Sequence, residues 1–490
     1  MSQTDWELEQ AIQAIADFRR DLSRTPSSEV DLDRLEGVVQ EKLNAMGRAL
    51  MKEVLEHADT KSPEVMINGK RWGARRDVPS TYYFKFGEVK VSRSVYSQPG
   101  GGPIACPLEL RLGMVEGRYS PQVARVVCRI AAVMTAEEGA TVLRDAGVAT
   151  LSSSTLMRLP KTVAARFEQN RDELNERIRC DELVPSEAAA VQVGLDGVMV
   201  PMDGEDAKPR GRKTDSPKAP RHETRYGPTS QNCVALQDGV DGRAWHEASV
   251  GTVAFYDEDG NELRTIYLGR MPETKMATLA DDLELELNHV LAQRPELDIV
   301  FASDGDRHQW EILEQMALRL SGTLTGTVRY LLDFYHAAEH LGEAAALVHG
   351  SGTPECEVAA SGWSSTLKYV EDGAERVLKK LRYHRDRLPT KAKRDSMQEI
   401  IDYLATNNSA GRLRYAEARA DNKPIGTGVT EAACKTVANT RMKRSGMRFE
   451  HHGGQTAMLL RTAHLSERFS TLMSLVTQSY TANVQEKTAA

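Results

Sequence analysis

Three carboxylates stand out for the chemistry they could share. Asp196 lies in the strand-like run AVQVGLDGVMVPM, Asp304 closes the short apolar run DIVFASDGD, and Glu431 opens the stretch IGTGVTEAACKTVANTRMKRSGMRF. Each alone has an ordinary explanation. Aspartates commonly end strands in turns. A glutamate near a helix start is favoured by the helix dipole and by an i,i+4 lysine, here Lys435. Brought together, three carboxylates repel one another unless cations neutralise them. Mg²⁺ or Mn²⁺ suits such a site because it prefers oxygen ligands and leaves positions for phosphate oxygens. Two such ions about 4 Å apart can activate a hydroxyl or water and stabilise the leaving oxygen of an in-line phosphoryl transfer.

The charges around Glu431 fit a phosphate-rich partner. Lys435, Arg441, Lys443, Arg444 and Arg448 follow it with no further acid up to Phe449. Two other basic stretches are KPRGRKTDSPKAPRHETR, holding Lys208, Arg210, Arg212 and Lys213, and KKLRYHRDRLPTKAKR, holding Lys379, Lys380 and Arg382. Chemistry at one phosphate needs acids, and grip on neighbouring phosphates needs bases. The net charge of −7 does not oppose this, because binding depends on local patches.

The elements that must position these groups follow from hydrophobic periodicity. Residues 1–60 have helical spacing and present an apolar stripe of Leu35, Val38, Val39, Leu43, Met46, Leu50 and Val54. That stripe suits either a homodimer contact or packing on the chain's own next domain. Residues 61–115 hold TYYFKFGEVKVSRSVYSQ, which reads as a hairpin turning at Phe86, Gly87 and Glu88. Residues 116–182 are helical. Within them a break near Gly147 and a cap at Ser152–Ser154 give either a helix-turn-helix or a plain helical hairpin.

Residues 183–335 alternate strand and helix signals, with a fifth strand at VRYLLDFYH. On the first strand Val191, Val193 and Leu195 share one face and Asp196 takes the other. Residues 336–422 carry helix signals alone, 423–473 return with the Glu431 helix, and 474–490 are a polar tail. The expected fold is α/β: a mixed five-stranded sheet flanked by helices, interrupted by an all-helical insertion and preceded by helical and small β domains.

Composition excludes some classes. No apolar run is long enough to span a membrane. The opening MSQTDWELEQ lacks a signal peptide's apolar core. Six scattered cysteines without a CxxC pair suit a reducing cytoplasm and not a cysteine-built zinc site.

Four strings, LDGVMVPM, SDGDRHQW, LLDFYHAAEHL and PIGTGVTEAACKTVANTRMKRSGMRF, resemble signatures of the ISKra-type insertion-sequence transposases. The last two are the specific ones, and the resemblance covers residues 120–470. It implies an RNase H-like core of the DDE type with Asp196, Asp304 and Glu431 as the triad, Glu431 facing the sheet to complete the metal site, and Mg²⁺ or Mn²⁺ as cofactor. Asp333 and His336 match a D-x-x-H motif found near the active site of related families. The resemblance also implies double-stranded DNA as partner, both the element's terminal inverted repeats and the target. It implies a homodimer or larger assembly on that DNA, and a bacterial cytoplasmic, nucleoid-associated location. Some relatives carry a cysteine-paired zinc ribbon at the place of residues 63–110. Here Cys106 alone remains, so no zinc is expected.

Three other readings compete. HAAEH, from His336 to His340, matches the H-x-x-E-H pattern of inverted zinc peptidases, with Glu339 as base. A catalytically inactive, transposase-derived DNA-binding protein would keep the basic patches without the chemistry. Glycosidases also use paired carboxylates, but that chemistry explains neither the basic patches nor the helical insertion.

Overall fold

The computed structural model describes residues 3–148, 150–203, 222–229, 235–238, 244–320, 322, 324–444 and 447–486. The chain forms two compact units, one of Met1–Ile178 with Glu467–Ala490 and one of Arg179–Ser466.

The first unit opens with two helices, α1 (Gln3–Arg24) and α2 (Leu32–Ala58), the second capped by Asp31. Strands β1 (Val65–Ile67), β2 (Lys70–Phe84), β3 (Gly87–Ser97) and β4 (Ile104–Ala105) form an antiparallel sheet. The β2–β3 turn falls at Lys85–Phe86, slightly earlier than the sequence suggests, because Phe84 pairs with Gly87. The Phe86 ring then seats on α2 at Gly47, where any Cβ would collide with it. Leu55 of α2 packs with Tyr82, Val89 and Val91 of the hairpin. The hairpin is thus packed by Leu55, which lies outside the expected stripe, while Val39, Leu43, Leu50 and Val54 of the stripe stay exposed.

A short helix α3 (Pro107–Arg111) leads to α4 (Pro121–Val133), α5 (Ala136–Asp145) and α6 (Ser153–Gln169). Thr135 and Glu138 form a capping box on α5, and Ser152 caps α6 by accepting from the Thr155 amide. The segment read as a polar tail instead holds the end of a helix, Phe469–Gln478, and a strand, Val484–Glu486. That strand pairs with β1, and Phe469, Leu472, Met473 and Val476 are buried. Its polar composition hid the ladder bonds that order it.

Helix α7 (Arg171–Cys180) leads into the second unit. Its sheet is built on β5 (Ala190–Met202). A small hairpin, β6 (His222–Thr224) and β7 (Gly227–Thr229), comes next, then β8 (Ala235–Asp238), β9 (Ala244–Tyr256) and β10 (Glu262–Arg270). Helix α8 (Ala277–Gln293), β11 (Asp298–Ser303), α9 (Arg307–Leu320) and β12 (Val328–Leu332) complete the alternation. The strand order is β10-β9-β5-β11-β12, with β9 antiparallel to both its neighbours and β11 parallel to both of its own. A sixth strand, β8, joins the five expected ones. It pairs with the start of β9, where β9 and β5 run on past the end of β11.

Side-chain alternation on β5 divides the core. Val191, Val193 and Leu195 pack with Leu283, Leu287, Leu313 and Met316 of α8 and α9. On the opposite face Val198, Val200 and Val250 pack with Cys434, Val437 and Met458.

The insertion comprises α10 (Phe334–His349), α11 (Pro354–Tyr369), α12 (Gly373–Arg385), α13 (Lys391–Ser409) and α14 (Tyr415–Ala420) around Leu341, Trp363, Leu381, Met397 and Leu404. Asp333, Thr353 and Thr390 cap α10, α11 and α13. The fifth strand is shorter than VRYLLDFYH. It stops at Leu332, because Asp333 accepts from the His336 amide and starts α10 there.

The Glu431 stretch is not one regular helix either. It is α15 (Gly428–Ala433), a π-helical segment (Cys434–Asn439) and α16 (Thr440–Met442). Within the wide turn Thr440 Oγ1 bonds back to the Lys435 carbonyl at 3.0 Å. Helix α17 (His451–Leu465) closes the unit.

Candidate active site

Parallel register brings Asp196, midway along β5, level with Asp304 just past the end of β11. Gly194 of β5 stands opposite Ala302 of β11, so two residues further on Asp196 comes level with Asp304. Ser303 stands opposite Leu332 of β12, which sets Asp333 beside Asp304. Three aspartates thus stand at one edge, on β5, after β11 and after β12.

Asp196 is half-buried and accepts two hydrogen bonds, from the Gly197 amide at 2.7 Å and from Cys434 Sγ at 3.4 Å. Burial, then repulsion from Asp304 and to a lesser degree Glu431, lifts its pKa above the ordinary carboxylate value. The two hydrogen bonds oppose that shift without cancelling it. Cys434 is itself buried, and its thiol is pushed up by burial and by Asp196, so it acts as a donor.

Asp304 sits in a tight turn. Its Oδ1 accepts from the Asp306 amide at 3.1 Å, and Ser303 Oγ accepts from the Gly305 amide at 3.3 Å. The Gln309 amide, oriented by its acceptors, donates to the Leu195 carbonyl at 3.0 Å and to Asp304 Oδ1 at 3.3 Å, linking β5 to the turn. Tyr403 from α13 donates to the Asp304 carbonyl at 2.9 Å. Burial, with Asp304 and Asp333 nearby, holds its hydroxyl in the protonated form.

Glu431 is placed differently from the expectation that it faces the sheet. Thr430 takes that position, where its hydroxyl meets Thr252 Oγ1 at 2.8 Å and fills the space a Cβ on Gly194 would need. One residue along a helix turns the side chain by about 100°. Glu431 is consequently 61% exposed and pairs with Lys435 Nζ at 2.6 Å. It remains near enough to Asp196 to raise that carboxyl's pKa.

Asp333 is buried and fully engaged. Oδ1 accepts from the His336 amide at 2.9 Å, and Oδ2 accepts from the Thr427 amide and hydroxyl. From β5, two strands away, Gln192 Nε2 donates to the Gly426 carbonyl at 2.8 Å. Together they tie the PIGTG loop to the sheet and so fix where α15 begins. His336 lies in the first turn of α10, partly exposed, with its Nδ1 3.6 Å from Glu339. The Nδ1 of His340 faces a different residue, Glu343, at 3.1 Å. The two imidazoles, 4.9 Å apart between ring centroids, thus each lie beside a separate carboxylate.

Sequence reasoning missed Glu247. It lies on β9, and its carboxylate occupies the space that a Cβ on Gly197 would need. Burial, followed by Asp306, Asp196 and Asp304, raises its pKa. The Asp-Gly pair was the available signal, since glycine beside Asp196 admits a neighbouring side chain. Cys434 and Tyr403 were missed too, because each reaches the site from far along the chain, and Gln309 because its bond to the Leu195 carbonyl depends on the pairing of β5 with β11.

The basic residues divide. Lys443 lies beside Cys434, with burial lowering its pKa, and Nζ stands 6.0 Å from the Trp245 ring centroid. Lys435 engages Glu431, and Arg444 bonds back to Thr440. Arg441 stacks near Phe449, and Arg448 is exposed. Lys379, Lys380 and Arg382 are exposed on α12 of the insertion. Lys208, Arg210, Arg212 and Lys213 lie outside the described residues.

The donor chemistry suits a hard divalent cation: carboxylate oxygens on adjacent strands, the ionised form of one already disfavoured by burial and by its acidic neighbours. Among the described residues, no three histidine, cysteine, aspartate or glutamate side chains are placed to share one metal ion. No helix among them is long and apolar enough to cross a membrane.

No protein-family model matches the chain, and no curated protein matches it. Among solved structures it is similar to the Drosophila P element transposase strand transfer complex, with 10% sequence identity and a TM-score of 0.24, over 74% of this chain and 84% of that chain. A score that low does not establish a common fold.

Proposed function

We propose that the chain is a DNA transposase that cuts the ends of a mobile element and joins them to target DNA. The observation that carries this reading is the register that sets Asp196 level with Asp304 at the edge of a β10-β9-β5-β11-β12 sheet. The mixed sheet in that order, with β9 antiparallel in it and a carboxylate-bearing helix packed across it, supports reading the core as RNase H-like and of the DDE type. The membership of the ISKra-type group rests on the four sequence strings.

Bound Mg²⁺ or Mn²⁺ would supply activation of water or of a DNA 3′-hydroxyl and stabilisation of charge on the scissile phosphate. Asp196 and Asp304 would hold it, their carboxylates oriented by Gly197, Cys434, Gln309 and the Asp306 amide. Glu431 would join them on leaving Lys435, which then becomes available to phosphate. Asp333 would act by holding the loop before α15, and His336 would contribute a hydrogen bond near the scissile phosphate. Lys443, Arg441, Arg444 and Arg448 would guide the backbone toward the acids, with Lys379, Lys380 and Arg382 gripping it further out. Lys208, Arg210, Arg212 and Lys213 would add a further clamp.

Two ends need two active sites in one complex, so a homodimer or larger assembly on DNA is the economical form. The exposed stripe of Val39, Leu43, Leu50 and Val54 on α2 is the candidate contact. Incubating the protein with the DNA that flanks its own gene, in Mg²⁺, and mapping nicks tests the reading. Nicks at repeat boundaries support it. Intact DNA under every divalent cation, from protein that binds those ends, speaks for the inactive DNA-binding alternative.

A further inference from the structure

Tyr403 carries the helical insertion to the Asp304 turn. Tyr403 belongs to α13, whose neighbouring residues Met397, Ile400, Ile401 and Leu404 are buried in the insertion's own core. Its hydroxyl leaves that core and donates to the Asp304 main-chain oxygen at 2.9 Å. The hydroxyl fills the space a Cβ on Gly305 would need, and Gly305 has a φ of +111°, a conformation open to glycine. The Tyr403 ring also lies 4.6 Å from His340 and 6.3 Å from His336, which are 4.9 Å apart.

We propose that Tyr403 is a positioning residue: its hydroxyl fixes the Asp304–Gly305 peptide, aims the Asp304 carboxylate, and couples the insertion to the catalytic edge. This rests on the reading of Asp304 as a metal-holding carboxylate. The physical reason lies in Gly305. A glycine at positive φ leaves the peptide before it free to rotate, and the tyrosine bond removes that freedom. The tyrosine is held by the insertion, so a displacement of α13 on DNA binding moves the Asp304 turn with it. Misplacing a reacting group by about 1 Å can cost on the order of 10²-fold in rate. Losing one restraint among several is expected to cost less.

The test uses the full chain carrying Tyr403→Phe, which removes the hydroxyl and keeps the ring. The expected result is a fall of about tenfold in nicking at saturating DNA. The Mg²⁺ concentration for half-maximal rate should rise several-fold, and Mn²⁺ binding to the DNA-free protein, read by electron paramagnetic resonance, should weaken to match. Affinity for end DNA and the melting temperature should stay unchanged. Gly305→Ala, strained at that φ and displacing the Tyr403 hydroxyl, should show the same loss of rate and of Mn²⁺ affinity with a lower melting temperature, and the double variant should lose no more rate than either single one. Tyr403→Phe with wild-type rate, Mg²⁺ requirement and Mn²⁺ affinity, beside an inactive Asp304→Asn, overturns the inference and leaves the site reading standing. An active Asp304→Asn overturns both.

Discussion

The two sides of the candidate centre are built in opposite ways. Asp196 and Asp304 are pinned where they stand: a main-chain amide and a thiol on one, an Asx turn, Gln309 and Tyr403 around the other. Glu431 is exposed, holds a single lysine in an i,i+4 pair, and is followed by a π-helical segment. Exposed pairs of that kind are worth about 0–1 kcal/mol, so the Glu431–Lys435 contact is easily exchanged. π-Helical turns often mark functional sites. The strands thus supply a preorganised half and the helix an adjustable one. On the function proposed above, DNA would complete the centre, drawing Lys435 to phosphate and leaving Glu431 to turn inward.

The largest effects should fall on the pinned half. Asp196→Asn and Asp304→Asn should each cut nicking and joining by about 10³-fold or more, roughly 4 kcal/mol of barrier, with end binding retained in a gel-shift assay. Full strand transfer by either variant would break the comparison at its stronger side. Glu431→Gln should cost about 10²-fold. Lys435→Met should lower the Mg²⁺ needed for nicking while weakening end binding by about 1 kcal/mol or less. If Lys435→Met raises the Mg²⁺ requirement instead, the lysine supports Glu431 and does not hold it back. His336→Ala should slow nicking by about tenfold; a rate equal to wild type on every end substrate would reduce His336 to a helix-start residue.

The smallest effect is on stability and has an unusual sign. The folded pKa of Asp196 is raised above its unfolded value, so protonation favours the fold. Its contribution is favourable below the unfolded pKa and is lost as pH rises through the folded one. At neutral pH, without divalent cations, Asp196→Asn should therefore melt higher than wild type. The advantage should fade as pH is lowered through the raised pKa of Asp196. Mn²⁺ should stabilise wild type and leave the variant unmoved.

How much of this was legible in the sequence depended on distance along the chain. β5 matches the run AVQVGLDGVMVPM from end to end, because alternation along a strand is a local signal. Asp333 was singled out, but its bonds to Thr427, which tie the loop before α15, span an insertion that sequence spacing cannot see across. Glu431 was singled out with the wrong face, because the choice between Thr430 and Glu431 rests on Gly194 making room for a threonine. Glu247 stayed hidden for the same reason, since its place beside Asp196 depends on the register of β9.

The proposed chemistry stands on Asp196 and Asp304 together holding a divalent cation. Titrating Mn²⁺ into the metal-free, full-length protein and reading bound ion by electron paramagnetic resonance tests it without any assumption about the DNA substrate. The account predicts saturable binding by wild type that is lost in both Asp196→Asn and Asp304→Asn and weakened less in Glu431→Gln. Binding of equal stoichiometry and affinity in wild type and in both aspartate variants would contradict it.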